Sequence, residues 1–134
     1  MDRDAAALGR LAGAPKVKTR VANLESGAWP FAGEHFDAIV VTHYLHRPLF
    51  RRLLATLSPD GVLLYETFAT GNESFGRPSN PAFLLLPGEL IARAGAALTI
   101  VAFEQGLIAG ERPVVIQRLA AVGSRYAWPP LLPT

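Results

Sequence analysis

A chain of 134 residues is long enough for one domain with a true core, and half of it is apolar against 18% charged. Thirteen Lys and Arg against eleven Asp and Glu leave a net charge of +2, and no basic cluster exceeds Arg51-Arg52, which argues against a nucleic-acid surface even at a pI near 9.4. The absence of cysteine excludes disulfides, thiolate zinc sites and Cys nucleophiles. No apolar run approaches the roughly 20 residues that a membrane helix needs, and the start MDRDAAALGRLAG lacks signal-peptide architecture. The expectation is a soluble, cytoplasmic protein.

In chain order, Asp4 is placed to cap a helix running to Leu11, which Gly13-Ala14-Pro15 closes. Lys16 to Leu24 alternates, with Val17, Thr19 and Val21 against Lys18, Arg20 and Ala22, and predicts a short edge strand. Glu25 to His35 reads as loop, with Trp29-Pro30-Phe31 folded back as an apolar plug. Phe36 to Val41 (FDAIVV) predicts a strand covered on both faces, as in parallel sheets flanked by helices. After the polar elbow THYLHR, Pro48 opens a helix with its apolar stripe on Leu49, Phe50, Leu53, Leu54 and Leu57. Ser58-Pro59-Asp60-Gly61 has turn chemistry, and VLLYETF (Val62 to Phe68) predicts a second buried, parallel strand.

Ala69 to Pro81 is a polar, Gly/Pro-rich excursion, too long for mere punctuation, which reads as a substrate lid or a solvated loop. A helix follows from about Pro87 to Arg93, closed by Gly95. Leu98 to Gln105 and Arg112 to Val122 predict an antiparallel pair. The expected domain is thus residues 1–122, followed by a Pro-rich tail, 123–134. The fold class is α/β, with a mostly parallel sheet.

Taken in order, these segments resemble the later two-thirds of a class I S-adenosylmethionine-dependent methyltransferase, a Rossmann-like fold. FDAIVVTHYLHRPL is similar to that family's fourth strand and elbow, and LSPDGVLLYETF to its "L-x-P-G-G" turn and fifth strand. The closing pair resembles its sixth and seventh strands, ANLE (Ala22 to Glu25) the end of its third, and MDRDAAAL the end of its second. The family's first strand and GxGxG loop have no counterpart among these residues. The expectation is therefore an incomplete, truncated domain, inactive as this chain.

The resemblance implies a cofactor set of Asp2 (ribose), Asn23 (adenine, where the family commonly has Asp), Leu24 and Thr42, with S-adenosylmethionine as the cofactor of the intact family and little or none held here. Asp2 as an unpartnered terminal acid, Asn23 as a turn residue and Leu24 as core are the alternatives. His43 and Glu66 are the catalytic candidates: His43 as a base or as a polar group satisfying loop backbone, Glu66 as an orienting carboxylate or a partner of Arg77. Tyr44, Asn72 and Arg77 are the candidate substrate contacts. His43 and His46 have no evident third ligand, so no metal is expected.

The expected function is methyl transfer to a small molecule, with neither nucleic acid nor membrane as partner. The alternatives are a non-catalytic α/β fragment acting through self-association, and an unrelated doubly wound binding module, which parallel final strands would favour. Without a first strand, the fourth would present an unprotected edge, so a homodimer through strand edges is expected.

Overall fold

A computed structural model describes all 134 residues, in two compact units, Met1–Gly33 and Glu34–Thr134. In the first, Asp4 caps helix α1 (Ala5–Gly9), its carboxylate accepting from Ala6 and Ala7 N–H. The strand expected over Lys16 to Leu24 does not form. A single parallel bridge joins Asp2 to Val21, with Asp2 N–H donating to Arg20 O and Ala22 N–H to Asp2 O. Two residues of pairing cannot propagate a ladder, so the rest of the segment stays irregular. The plug forms locally: Trp29 meets Phe31 edge-on at 5.4 Å, and the Arg20 guanidinium lies over the Phe31 ring while donating to Pro30 O.

The second unit holds one four-stranded sheet. Strand β1 (Phe36–Thr42) leads through a 3-10 turn (Arg47–Leu49) into α2 (Phe50–Ala55) and then β2 (Leu57–Phe68). After a long loop come α3 (Glu89–Gly95), β3 (Thr99–Ile108) and β4 (Val114–Val122), and the strand order is β1-β2-β4-β3. β1 and β2 run parallel, whereas β2–β4 and β3–β4 are antiparallel. The sheet is therefore mixed, not mostly parallel, because the returning hairpin inserts β4 beside β2. No helix is long and apolar enough to cross a membrane.

Two local expectations change. The Pro48 helix is split into a 3-10 turn and a short α-helix, and β2 begins at Leu57. Ser58 to Gly61 belongs to β2 as an excursion: pairing steps from Phe36–Leu57 to Ala38–Val62, so the turn residues bulge out of the parallel ladder. Gly123 N–H then donates to Gly61 O and Arg125 N–H to Pro59 O, which ties the start of the tail to this bulge.

The core lies between α2, α3 and one sheet face. Phe50, Leu90 and Ala94 from the helices meet Leu63, Tyr65, Leu119 and Ala121 from the strands. The opposite face is open. Along β1 only Ile39 and Val41 are half-buried, and Val40 is 66% exposed, so the expectation of a strand covered on both faces is corrected to one covered on a single face. An apolar run alone does not distinguish these cases, since the same residues also suit a sheet edge.

The bulge sets a sharp test. A Cβ at Gly123 would lie 2.2 Å from Pro59 O, a backbone atom that cannot swing away. Gly123→Ala should lower stability by about 2–3 kcal/mol in urea unfolding. Gly95→Ala, where the nearest atom is 3.9 Å away at the end of α3, should be neutral or stabilising by up to about 1 kcal/mol.

Candidate functional site

Parallel strands place ligand-contacting loops at their carboxyl ends. Here that end carries the elbow after β1 and the loop after β2. Thr42 pairs with Glu66, and His43 N–H donates to Glu66 O at 3.0 Å, which joins the two segments. His43 has φ +52°, a left-handed conformation unfavourable for a residue with a Cβ, and its exposed imidazole stacks on Phe68 at 4.9 Å. Such a conformation survives only where its surroundings impose it. Tyr65 Oη donates to Tyr44 O at 2.6 Å, fixing the next residue. Burial, and then neighbouring Tyr44, push the Tyr65 phenol well above its ordinary range, so it remains the donor.

The elbow's stronger restraint is Arg47. Its Nε and one terminal nitrogen grip both Glu89 oxygens at 2.7 and 2.8 Å, and further N–H groups donate to Ala82 O and Leu84 O. Glu89, with 11% of its side chain exposed, also accepts from Arg93 at 2.6 Å and from Leu86 N–H. One guanidinium thus joins the elbow, the end of the long loop and the first turn of α3.

The long loop is anchored as well. Asn72 Oδ1 accepts from Val115 N–H at 3.1 Å, and its amide nitrogen donates to Pro78 O at 3.0 Å. Asn72, expected as a substrate contact, is buried here and latches the loop to β4. Arg77 is exposed on the crest of that loop and makes no pair with Glu66. Glu66 instead lies 3.7 Å from Arg118, which also donates to Glu104. Tyr44 is half-buried at the elbow. The sequence showed neither Arg47 nor Glu89 as a site-shaping residue; the Glu89–Arg93 spacing of four on a helix was the one visible signal.

In the first unit, the Asp2–Val21 bridge brings Asp2 beside the segment carrying Asn23 and Leu24. Both polar groups have local duties: Asp2 Oδ1 accepts from Asp4 N–H, and Asn23 Oδ1 from Glu25 N–H, each at 3.0 Å. No group of three or more His, Asp or Glu is disposed to hold a metal ion.

The β1-β2-β4-β3 order matches the fourth, fifth, seventh and sixth strands of the sheet that the sequence resembles, with the antiparallel hairpin that sets it apart from dinucleotide-binding sheets. The structure is similar to the N-methyltransferase NodS from Bradyrhizobium japonicum WM9, with a TM-score of 0.58 and 20% identity over 91% of this chain and 71% of that one. It is also similar to TehB from Haemophilus influenzae, with a TM-score of 0.53 and 14% identity over 67% of this chain and 36% of TehB. This is the class I S-adenosylmethionine-dependent methyltransferase fold. No family model and no curated protein matches the sequence.

Against the cofactor of that fold, the residues make only a partial fit. Asp2, Asn23 and Leu24 have the chemistry for an adenosine, but no GxGxG loop occurs in the 134 residues to offer backbone N–H groups to the amino-acid end. No catalytic step through the cofactor follows from such a set.

The Arg47–Glu89 clamp predicts a pH dependence. The Arg47 hydrogen bonds, with Leu86 N–H and Arg93 adding and burial opposing, hold the Glu89 carboxyl at about 2 against an ordinary 4.5. A carboxyl depressed by folding binds its proton more readily in the unfolded chain. Its contribution, about 3 kcal/mol, is therefore complete above about pH 4.5 and lost as pH falls through about 2. Urea unfolding from pH 7 to 2 should show that decline, and Glu89→Gln should be less stable at pH 7 and flatter across this range.

Proposed function

We propose that this chain is a cytoplasmic, S-adenosylmethionine-dependent methyltransferase-like protein with a small molecule as acceptor, and that by itself it binds the cofactor weakly and does not turn over. The observation that carries the reading is the elbow: a strained, exposed histidine at the carboxyl end of β1, held in place by Glu66 O, Phe68 and the Arg47 clamp. Strain maintained against its cost of about 1–3 kcal/mol is more typical of a site than of a connection. In this reading His43 receives the proton of an acceptor hydroxyl or amine, Glu66 orients that group, and Tyr44 and Arg77 contact the rest of the molecule. Asp2, Asn23, Leu24 and Thr42 belong to the adenosine side. NodS is by name an N-methyltransferase, which favours a nitrogen acceptor.

The test is titration of isotope-labelled protein with S-adenosylmethionine. Amide resonances of Asn23 and Thr42 should move, with a dissociation constant no tighter than roughly millimolar. Asn23→Asp, restoring the acid common in the family, should tighten binding several-fold. Unmoved resonances at about 10 mM ligand would sink the methyltransferase reading, and micromolar affinity by calorimetry would sink the weak-binding one.

A second reading, self-association, rests on the edge of β1. Only β2 pairs with this strand, and Ala38 to Val41 carries no Lys, Pro or bulge to protect its other side. A two-fold homodimer with β1 against β1 would satisfy those groups. Light scattering during size exclusion should give twice 14.4 kDa, and a folded monomer at high concentration would refute it.

A further inference from the structure

The open sheet face and the C-terminal arm present the same unsolved problem from two sides. On the face, the register aligns Val40, Leu64, Ala120 and Ala102 in one row across all four strands. Val40 and Leu64 are 66% and 44% exposed, and the row floors a shallow groove of about 530 Å³. In the arm, Trp128, Leu131 and Leu132 are 69%, 98% and 65% exposed. A large indole and two leucines left uncovered in eight residues (AWPPLLPT) are the composition of a bound peptide, not of a solvated tail.

We propose that the arm of one copy docks in the sheet-face groove of a second copy. Three observations favour this occupant. The arm has no charged side chain, so Trp128, Leu131 and Leu132 can lie beside the ion-paired Glu66, Arg118 and Glu104 at the groove's rim without burying an unmatched ion. Acids on that rim also make an anionic lipid surface a poor alternative. Pro129, Pro130 and Pro133 lack backbone N–H, so the arm cannot extend the β1 ladder, whereas docking side chains into an apolar groove needs no donors. Finally, the arm's root is tied by Arg125 N–H to Pro59 O and by Tyr126 N–H to Gly123 O, and beyond it the single chain leaves arm and groove exposed together. Reciprocal exchange between two copies covers two arms and two grooves in one closed, two-fold assembly. The groove is lined at one end by Thr42 and Glu66, so an arm docked there would border the elbow that carries His43, and the contact is tested by association rather than by methyl transfer. It differs from β1 edge pairing in using side chains rather than backbone.

The cysteine-free sequence makes a clean test possible. Full-length Val40→Cys and Leu131→Cys chains, mixed and mildly oxidised, should form a disulfide-linked heterodimer. Leu131→Asp with Leu132→Asp changes only exposed positions, so the melting temperature at low concentration should be unchanged while the dimer dissociation constant rises about 30-fold. A wild-type chain that is monomeric overturns the proposal. So does a dimer indifferent to the aspartates, which would leave edge pairing standing alone. A disulfide that forms only within a Val40→Cys/Leu131→Cys double variant overturns it too, because the arm would then serve its own chain.

Discussion

One guanidinium holds the candidate site together. Arg47 stands five residues after β1, and its partner Glu89 stands at the start of α3, 42 residues later in the chain. A half-buried ion pair of this kind is weak evidence of net stabilisation, since desolvation offsets much of the attraction. Its geometric effect is larger. With both Glu89 oxygens engaged and two loop carbonyls on its N–H groups, Arg47 fixes the elbow against two separate segments, the end of the long loop and the start of α3. The left-handed backbone at His43 lies four residues upstream of that anchor and is tied on its other side to Glu66 O. Strain at one residue persists because the residues flanking it cannot relax.

The legible parts of the sequence were those governed by local rules. The Asp4 cap, the parallel β1–β2 unit with its helical crossover and the final hairpin follow from capping chemistry, periodicity and turn residues. The failures share one cause: burial and pairing are decided by neighbours that a local pattern does not contain. Lys16 to Leu24 alternates like a strand but finds only a two-residue bridge, and FDAIVV reads as doubly covered yet is covered on one face alone. The partners of Asn72 were equally hidden: both ends of its amide are satisfied by backbone from Pro78 and Val115, the second 43 residues away. His43 and Glu66 were legible as neighbours because one follows β1 and the other lies near the end of its parallel partner β2. The stacking of His43 on Phe68, and the preference of Glu66 for Arg118 over Arg77, depend on β4 and on backbone geometry.

The two sheet faces behave as different materials. On the helix side, Leu63, Leu119 and Ala121 are sealed in one core with α2 and α3, and such packing tolerates little change. On the open side, small Ala102 and Ala120 beside larger Val40 and Leu64 leave a shallow relief suited to receiving other side chains. The fold therefore separates a rigid wall, which positions the elbow, from a receptive one.

Helix α3 has no capping side chain of its own: Gly88 occupies the cap position in a left-handed conformation. Its first donors are met from the sheet, Gly88 N–H by Gln105 Oε1 and Leu90 N–H by Gln117 Oε1, while Gln117 also donates to Leu86 O. Gln105 and Gln117 face each other across the β3–β4 hairpin. A slip of one residue in that hairpin would turn Gln117 to the opposite face and leave the buried start of α3 without its acceptor. The helix terminus thus acts as a checksum on strand alignment, since only the correct pairing of the last two strands lets the α3 turn that carries Glu89 close.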